Sequence, residues 1–435
     1  MITPAATGRT RASTGSAGYE GFGPAERGLP ANTRVRFWLP AHRLRSERGC
    51  YSDIAYMRPA PRLDVWRLAA FAEKVGPIGF NLAESTVCSL RFGDLLALVQ
   101  ERGGLDDLAL DYGDPAGAPA LRQEIGTNCG ISPDAILTLP GTMLGLYLLA
   151  AATCGDGGEA VLVTPCFGPM RAALERAGMP IRSARLRFED GYQADVARIA
   201  AVLRPETRLV CIANPQNPSG VRVPREAIVA LLAVMMRRAP RALLFLDETY
   251  REATHGGAAP ASVAGLDPRL ICAGSLSKAH GAPGLRIGWL TVPDAILRSR
   301  LIQAKEALIL SGSVLDEALA TVLLRQAETV LAARRRALGT ALETVLRWQA
   351  AVAGPVEMIR PDAGALCCLR LDPRRVDRAG IGRFWAALPQ HHLRLAPGPW
   401  FGETRRVFRL GFGHLPPAEL AAALPALTRA LGAAA

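Results

Sequence analysis

A chain of 435 residues with 49% apolar side chains has the length for two or three domains and enough apolar content to bury large cores. A mean hydropathy of +0.15 and a charged fraction of 21% exclude a generally disordered polymer. The formal charge of +12 rests on arginine, since lysine stands only at 74, 278 and 305. That bias reads as codon usage, so nucleic acid is not expected as a partner.

Residues 1–50 hold eight arginines and three glutamates among Gly, Ala, Ser and Pro, with no apolar core of a signal peptide, and are expected to form a flexible arm. Residues 51–105 follow as a segment expected to join a small domain and the entrance of a site. From 106 to 300, short apolar runs alternate with amphipathic stretches. Strands are expected at Ile136–Leu139, Ala160–Thr164, Leu209–Ala213, Ala242–Leu246, Leu270–Ala273 and Trp289–Val292. Helices fit between them, for example at Pro169–Ala177 and Arg225–Arg238. This alternation predicts an α/β fold with a mostly parallel sheet covered on both faces. Residues 301–435 change to long helical stretches, including Ser313–Leu346, with short strands at Ala365–Leu371 and Arg406–Gly411 and a last helix from Pro417. They read as a smaller α+β domain.

Ala135–Gly155 carries no charge and is long enough to span a bilayer. Pro140-Gly141 interrupts it, however, so a strand, a turn and a helix account for it better, and no membrane partner is expected. Nine cysteines include no C-x-x-C pair, which predicts a reducing, cytoplasmic setting without disulfides or a metal site.

In open parallel sheets, ligands gather beyond the carboxyl ends of the strands. The residues there are unusual. Pro140-Gly141-Thr142-Met143 turns into a helix whose first N–H groups suit an anion. Phe167 can lie over a ring or fill the core. Asn214-Pro215-Gln216-Asn217-Pro218-Ser219-Gly220 carries two Asn-Pro pairs, each barring helix at the asparagine. Asp247 ends a wholly apolar strand, where its charge needs a cation. Gly274-Ser275-Leu276-Ser277-Lys278 follows the next strand, with Arg286 after it. Each feature alone fits an ordinary turn. Together they would suit a ligand with an anionic group, a flat ring, a basic ring nitrogen and an aldehyde, and pyridoxal 5′-phosphate has all four.

The runs NPQNPSG, DETY and SLSKAHGAPGLRIGW, with YGDPAGAPALR from Tyr112, resemble those of the class I/II aminotransferases, the fold type I pyridoxal-phosphate enzymes. The resemblance implies a seven-stranded large domain and a smaller one. It implies that Lys278 forms the Schiff base with the cofactor and shuttles a proton, and that Asp247 pairs with the ring nitrogen. Asn217 and Tyr250 would bond the ring's 3′ oxygen, and Phe167 would stack on the ring. The phosphate would meet Thr142, Met143, Ser275, Ser277 and Arg286, with Tyr112 lent to a neighbouring subunit, hence a homodimer. Arg409 would grip the substrate carboxylate, with Asn217 beside it; Arg405 and Arg406 compete for that role, and a solvated strand edge is the plainer reading of both.

Where such enzymes often carry a glycine-rich turn, this chain has Phe80-Asn81-Leu82-Ala83-Glu84-Ser85-Thr86. Glu84 there would favour a basic substrate or simply cap a turn. The implied activity is transfer of an amino group between an amino acid and a 2-oxo acid. The segment around Glu84, Phe92-Gly93-Asp94-Leu95 and the lysine run are also similar to capreomycidine synthase-like members, which cyclise a hydroxylated arginine; cyclase, lyase or β/γ-replacement chemistry is the alternative. His280 reads as packing behind Lys278 and His391-His392 as a loop pair. The first fifty residues are too short and too polar for a winged helix, which disfavours a regulator.

Overall fold

The computed structural model describes residues 79–100, 105–155, 157–352 and 354–434. The arm at 1–50, residues 51–78 and Lys74 lie outside the described residues. The chain enters through β1 (Phe80–Asn81), α1 (Phe92–Gln100) and α2 (Pro119–Cys129). Then come β2 (Ile136–Leu139), α3 (Thr142–Thr153), β3 (Glu159–Thr164), α4 (Gly168–Arg176), β4 (Ile181–Arg185), α5 (Val196–Val202) and β5 (Thr207–Ala213). The alternation continues through α6 (Arg225–Arg238), β6 (Leu243–Asp247), β7 (Leu270–Ser275), β8 (Gly288–Thr291) and α7 (Ala295–Ile309). These strands form one seven-stranded sheet in the order β2-β8-β7-β6-β5-β3-β4. Only β8 runs against its neighbours; the pairs from β7 to β4 are parallel.

Successive residues of a strand face opposite sides of its sheet, and β5 uses both. Val210 and Ile212 pack with Ile228, Leu231 and Met235 of α6. Leu209 and Cys211 pack with Leu146 of α3, Leu174 of α4 and Leu301 of α7. Burial on both faces explains the unbroken apolar runs in the sequence. Two boundaries move in a way that matters: β6 includes Asp247 and β7 runs on to Ser275, so both side chains stand on the sheet itself. The edge strand β4, sequence IRSAR, escapes the apolar pattern because an edge faces water.

The expected helix Ser313–Leu346 is two helices, α8 (Val314–Arg325) and α9 (Ala327–Ala351), divided at Gln326 with φ −104° and ψ 15°. The two bury different stripes. Leu319 and Leu323 pack against Leu121 and Ile125 of α2, whereas Leu331, Leu338 and Leu342 join the core of a second sheet. That antiparallel sheet has the order β12-β13-β10-β9, built from β9 (Val356–Ile359), β10 (Leu366–Leu371), β12 (Ala396–Pro397) and β13 (Val407–Gly411). α10 (Arg378–Gln390) and α11 (Pro417–Gly432) complete its core through Phe384, Leu388, Leu420 and Leu424.

The first described strand belongs with the last part of the chain. β1 pairs in parallel with β11 (Leu393–Arg394), and Gly411 N donates to the Leu82 carbonyl at 2.8 Å. A Cβ on Gly411 would overlap the Glu84 carbonyl, so only glycine lets residues 82–84 cross β13 at this distance. Lys305 is wholly buried and donates to the Pro115 carbonyl at 2.7 Å, a structural use of a rare lysine. Among the described residues no helix is long and apolar enough to cross a membrane.

Candidate active site

Beyond the carboxyl ends of β5, β6 and β7 lies a cavity of about 470 Å³. The loop after β5 is tied in place by side chains. Val223 N donates to Asn214 Oδ1 at 2.9 Å and Gln216 Nε2 to the Pro165 carbonyl at 3.0 Å, which leaves Asn217 buried at the cavity wall. Asp247 is buried at the end of β6. It accepts from Thr249 N at 3.1 Å and from the Thr249 hydroxyl. Burial pushes its carboxyl above the usual carboxylate range, while the Thr249 hydrogen bonds and the Lys278 charge pull back. A carboxylate held in this way is short of a cationic partner.

After β7, the Ser275 hydroxyl lies 2.9 Å from that of Ser277 and accepts from Ser277 N at 3.0 Å. Arg286 adopts a left-handed φ of +53° and donates from Nη1 to the Pro283 carbonyl at 3.0 Å. Gly141, with φ +99°, turns the chain into α3; a Cβ there would sit 2.8 Å from Arg286 Nη2. Thr142, Met143, Ser275, Ser277 and Arg286 all line this cavity. Two hydroxyls, a guanidinium and the N–H groups opening a helix form a donor set for a phosphate. Phe167 also lines the cavity and meets Trp400 edge-on at 5.2 Å between centroids.

Lys278 Nζ donates to Ser85 Oγ at 3.2 Å and lies 5.7 Å from the centre of the Tyr250 ring. Tyr250 donates to the same Ser85 oxygen at 2.8 Å and accepts from Asn217 Nδ2 at 3.4 Å. Arg409, buried on β13, donates from Nη1 to Asn217 Oδ1 at 2.9 Å and from Nη2 to the Ala83 carbonyl at 2.5 Å. Its Nε is buried without a partner. Burial lowers the Arg409 pKa, and the nearby Tyr250 and Glu84 favour its charge.

The structure thus gathers Thr142, Met143, Phe167, Asn217, Asp247, Tyr250, Ser275, Ser277, Lys278 and Arg286 around one cavity. Arg409 touches it through Asn217. Glu84 lines it as well, with Thr86 and His414. Tyr112 is 85% exposed and stands outside it. Arg406 instead donates to the Val376 carbonyl at 2.6 Å, and Arg405 lies over Trp385. His280 is buried, 3.9 Å from Glu252, and burial lowers its pKa. The His392 carbonyl accepts from Gly79 N and Phe80 N, away from the cavity. Sequence reasoning passed over Ser85, Thr249 and His414. The run Glu84-Ser85-Thr86 was the available signal for the first, and FRLGFGH, in which a histidine closely follows the strand that carries Arg409, for the last.

A buried carboxylate, a lysine amine on the same cavity wall, an aromatic side chain and a phosphate-type donor set are the parts of a pyridoxal-phosphate enzyme's site. The sequence model of the family "aminotransferase class I and II" matches residues 87–427, and the chain belongs to that family. Its cofactor is pyridoxal 5′-phosphate, which the donor set fits. The chain is 30% identical over 379 residues to capreomycidine synthase of Streptomyces vinaceus, covering 86% of this chain and 94% of that one. It is 27% identical over 304 residues to an arginine–pyruvate transaminase of Pseudomonas aeruginosa, covering 67% and 75%. The fold is that of a pyridoxal-phosphate-dependent aminotransferase from Streptococcus suis (TM-score 0.77, 22% identity, 87% and 99% covered). It is also that of the pyridoxal-phosphate-dependent cyclase OrfR (TM-score 0.76, 24% identity, 86% and 99% covered).

Proposed function

We propose that the protein takes the Cα proton from an arginine-like amino acid and transfers its amino group to a 2-oxo acid. The observation that carries this reading is the shared cavity wall of Lys278, Asp247, Tyr250 and Glu84. Bound pyridoxal phosphate supplies an aldehyde that captures amines and a protonated ring that withdraws electrons from Cα. Lys278 would hold the cofactor through that aldehyde, and its Nζ would carry the Cα proton. Asp247 keeps the ring nitrogen protonated. Asn217 and Tyr250 hold the ring's oxygen, and Phe167 covers its face. Thr142, Met143, Ser275, Ser277 and Arg286 hold the phosphate. Arg409 grips the α-carboxylate with a guanidinium that has buried donors to spare.

Glu84 supports a cationic side chain on the substrate, and the relative named as an arginine–pyruvate transaminase agrees with it. A second reading, cyclisation of a hydroxylated arginine, is favoured by the breadth of the capreomycidine synthase match. The two diverge after Cα deprotonation, so product analysis separates them. The test incubates the holoenzyme with arginine, hydroxylated arginines, neutral amino acids and 2-oxo acids, followed by absorbance and mass spectrometry. Conversion of arginine to its 2-oxo acid supports transamination. A product that has lost water from hydroxyarginine while keeping its α-nitrogen supports cyclisation. No turnover with any cationic amino acid sinks the substrate assignment.

A homodimer is part of the proposal. Tyr112 and Leu110 are exposed beside the exposed Leu310 and Leu315, and Gly113 lies against Val314. A second copy covering this apolar face would receive Tyr112 at its phosphate. Sedimentation of the wild type against Leu110→Glu tests it, with a wild-type monomer as the refuting result.

A further inference from the structure

Ser85 is 4% exposed and sits between the two side chains most concerned with the proton. Its hydroxyl accepts from Tyr250 at 2.8 Å and from Lys278 at 3.2 Å. Through Asn217 the chain of hydrogen bonds continues to Arg409 without a break. The backbone around Ser85 is held from several sides. The β1–β11 pairing precedes it, Gly411 N bonds the Leu82 carbonyl, and Arg409 takes the Ala83 carbonyl. Ser85 itself lies outside any strand, and the hydrogen bonds from Gly411 and Arg409 to the residues just before it fix where its oxygen stands.

We propose that Ser85 is a positioning residue that holds the free amine of Lys278 beside Tyr250. It does so before the amine captures the cofactor and again after the substrate has displaced it. This rests on the reading of Lys278 as the capturing amine. A lysine amine rides on a flexible stem with many rotamers, and a buried anchor selects one of them. A hydroxyl has two lone pairs and one proton. While it accepts from the phenol, it has a second lone pair for an ammonium, or its own proton for the lone pair of a neutral amine. Either form of Lys278 is held at one place. Tyr250 alone would satisfy a buried serine, so the second contact, to Lys278, marks a role beyond filling space.

The test compares Ser85→Ala and Ser85→Thr with the wild type in two measurements. One is the rate at which apo-protein captures pyridoxal phosphate, read from its visible band. The other is the affinity for pyridoxamine phosphate, which has the same ring and phosphate but no aldehyde. Loss of one hydrogen bond corresponds to a capture rate about tenfold lower in Ser85→Ala, with pyridoxamine phosphate affinity within about twofold of wild type and most of the rate restored by Ser85→Thr. In turnover, kcat falls while KM holds, and α-deuteration of the substrate slows the variant more than the wild type. Wild-type capture by Ser85→Ala overturns the proposal. So does a matching loss of pyridoxamine phosphate affinity, which would mean that Ser85 only shapes the cavity. If Ser85→Ala melts early, Ser85→Cys is carried through the same pair of measurements. Lys278→Ala serves as the control: if it still forms the band, the assignment of Lys278 itself fails, a result distinct from any outcome at Ser85.

Discussion

Arg409 donates from Nη1 to Asn217 Oδ1 at 2.9 Å, while its equally buried Nε meets no acceptor. A buried cation served by a side-chain amide and one carbonyl is under-compensated, and a carboxylate brings the missing charge. Hydrogen bonds to charged groups are worth about 1.5–3 kcal/mol. Arg409→Lys, which loses the fork, is therefore expected to raise the amino-acid KM by roughly 10- to 100-fold, at about 1.4 kcal/mol per tenfold. Pyridoxal phosphate affinity should stay near wild type. Steady-state kinetics beside a cofactor titration checks it, and an unchanged KM places the carboxylate elsewhere.

Asp247 carries a pH signature. Its folded-state pKa is raised, chiefly by burial, so between the ordinary carboxylate value and the raised one the folded apo-protein binds more protons than the unfolded chain. Stability from this group is present at acid pH and declines as pH rises through that window. Asp247→Asn, neutral throughout, is expected to lack the decline, so the apo variant should gain Tm over wild type on going from acid to neutral pH. Turnover should move the other way. Breaking a buried ion pair costs about 3–5 kcal/mol, or roughly 10²- to 10⁴-fold in rate. Melting curves of apo-protein against pH and kcat of the loaded variant form the paired measurement.

Glu84 lines the cavity on the strap that crosses Gly411. If it receives the cationic end of the substrate, Glu84→Gln should raise KM for arginine by about tenfold or more, the worth of one charge-assisted bond. KM for a neutral amino acid of similar length should change little. A uniform change across both substrates would show that Glu84 only shapes the turn.

Gly141→Ala puts a methyl at φ +99° and 2.8 Å from Arg286 Nη2. With ψ 152° this is a conformation open essentially to glycine alone, so the backbone strain is worth about 1–3 kcal/mol, and Arg286 must also shift. Pyridoxal phosphate affinity is expected to fall by about tenfold or more, with a lower Tm. Fluorescence titration of the apo-variant measures the first, and an unaltered affinity argues against a phosphate at this turn.

Much of the cavity wall was legible because it is local. Each of Thr142, Phe167, Asn217, Asp247 and Lys278 follows or closes one apolar strand, and strand ends on a parallel sheet converge by topology. Turn chemistry such as the two Asn-Pro pairs is written within seven residues. The break at Gln326 was not legible, because α8 and α9 share helical periodicity and differ only in what their stripes meet.

Strand periodicity determined the α/β fold class, and the residues at strand ends singled out Asn217, Asp247 and Lys278 as lining one cavity. What only the tertiary structure decided is the far wall. Ser85 meets Lys278 across 193 positions of sequence, and Arg409 meets Asn217 across 192. The first contact depends on Gly411 admitting the crossing strap, and the second on the strand Val407–Gly411 reaching the loop after β5. A contact made by two distant segments leaves no period or spacing in either one, so it exists only once the chain has folded.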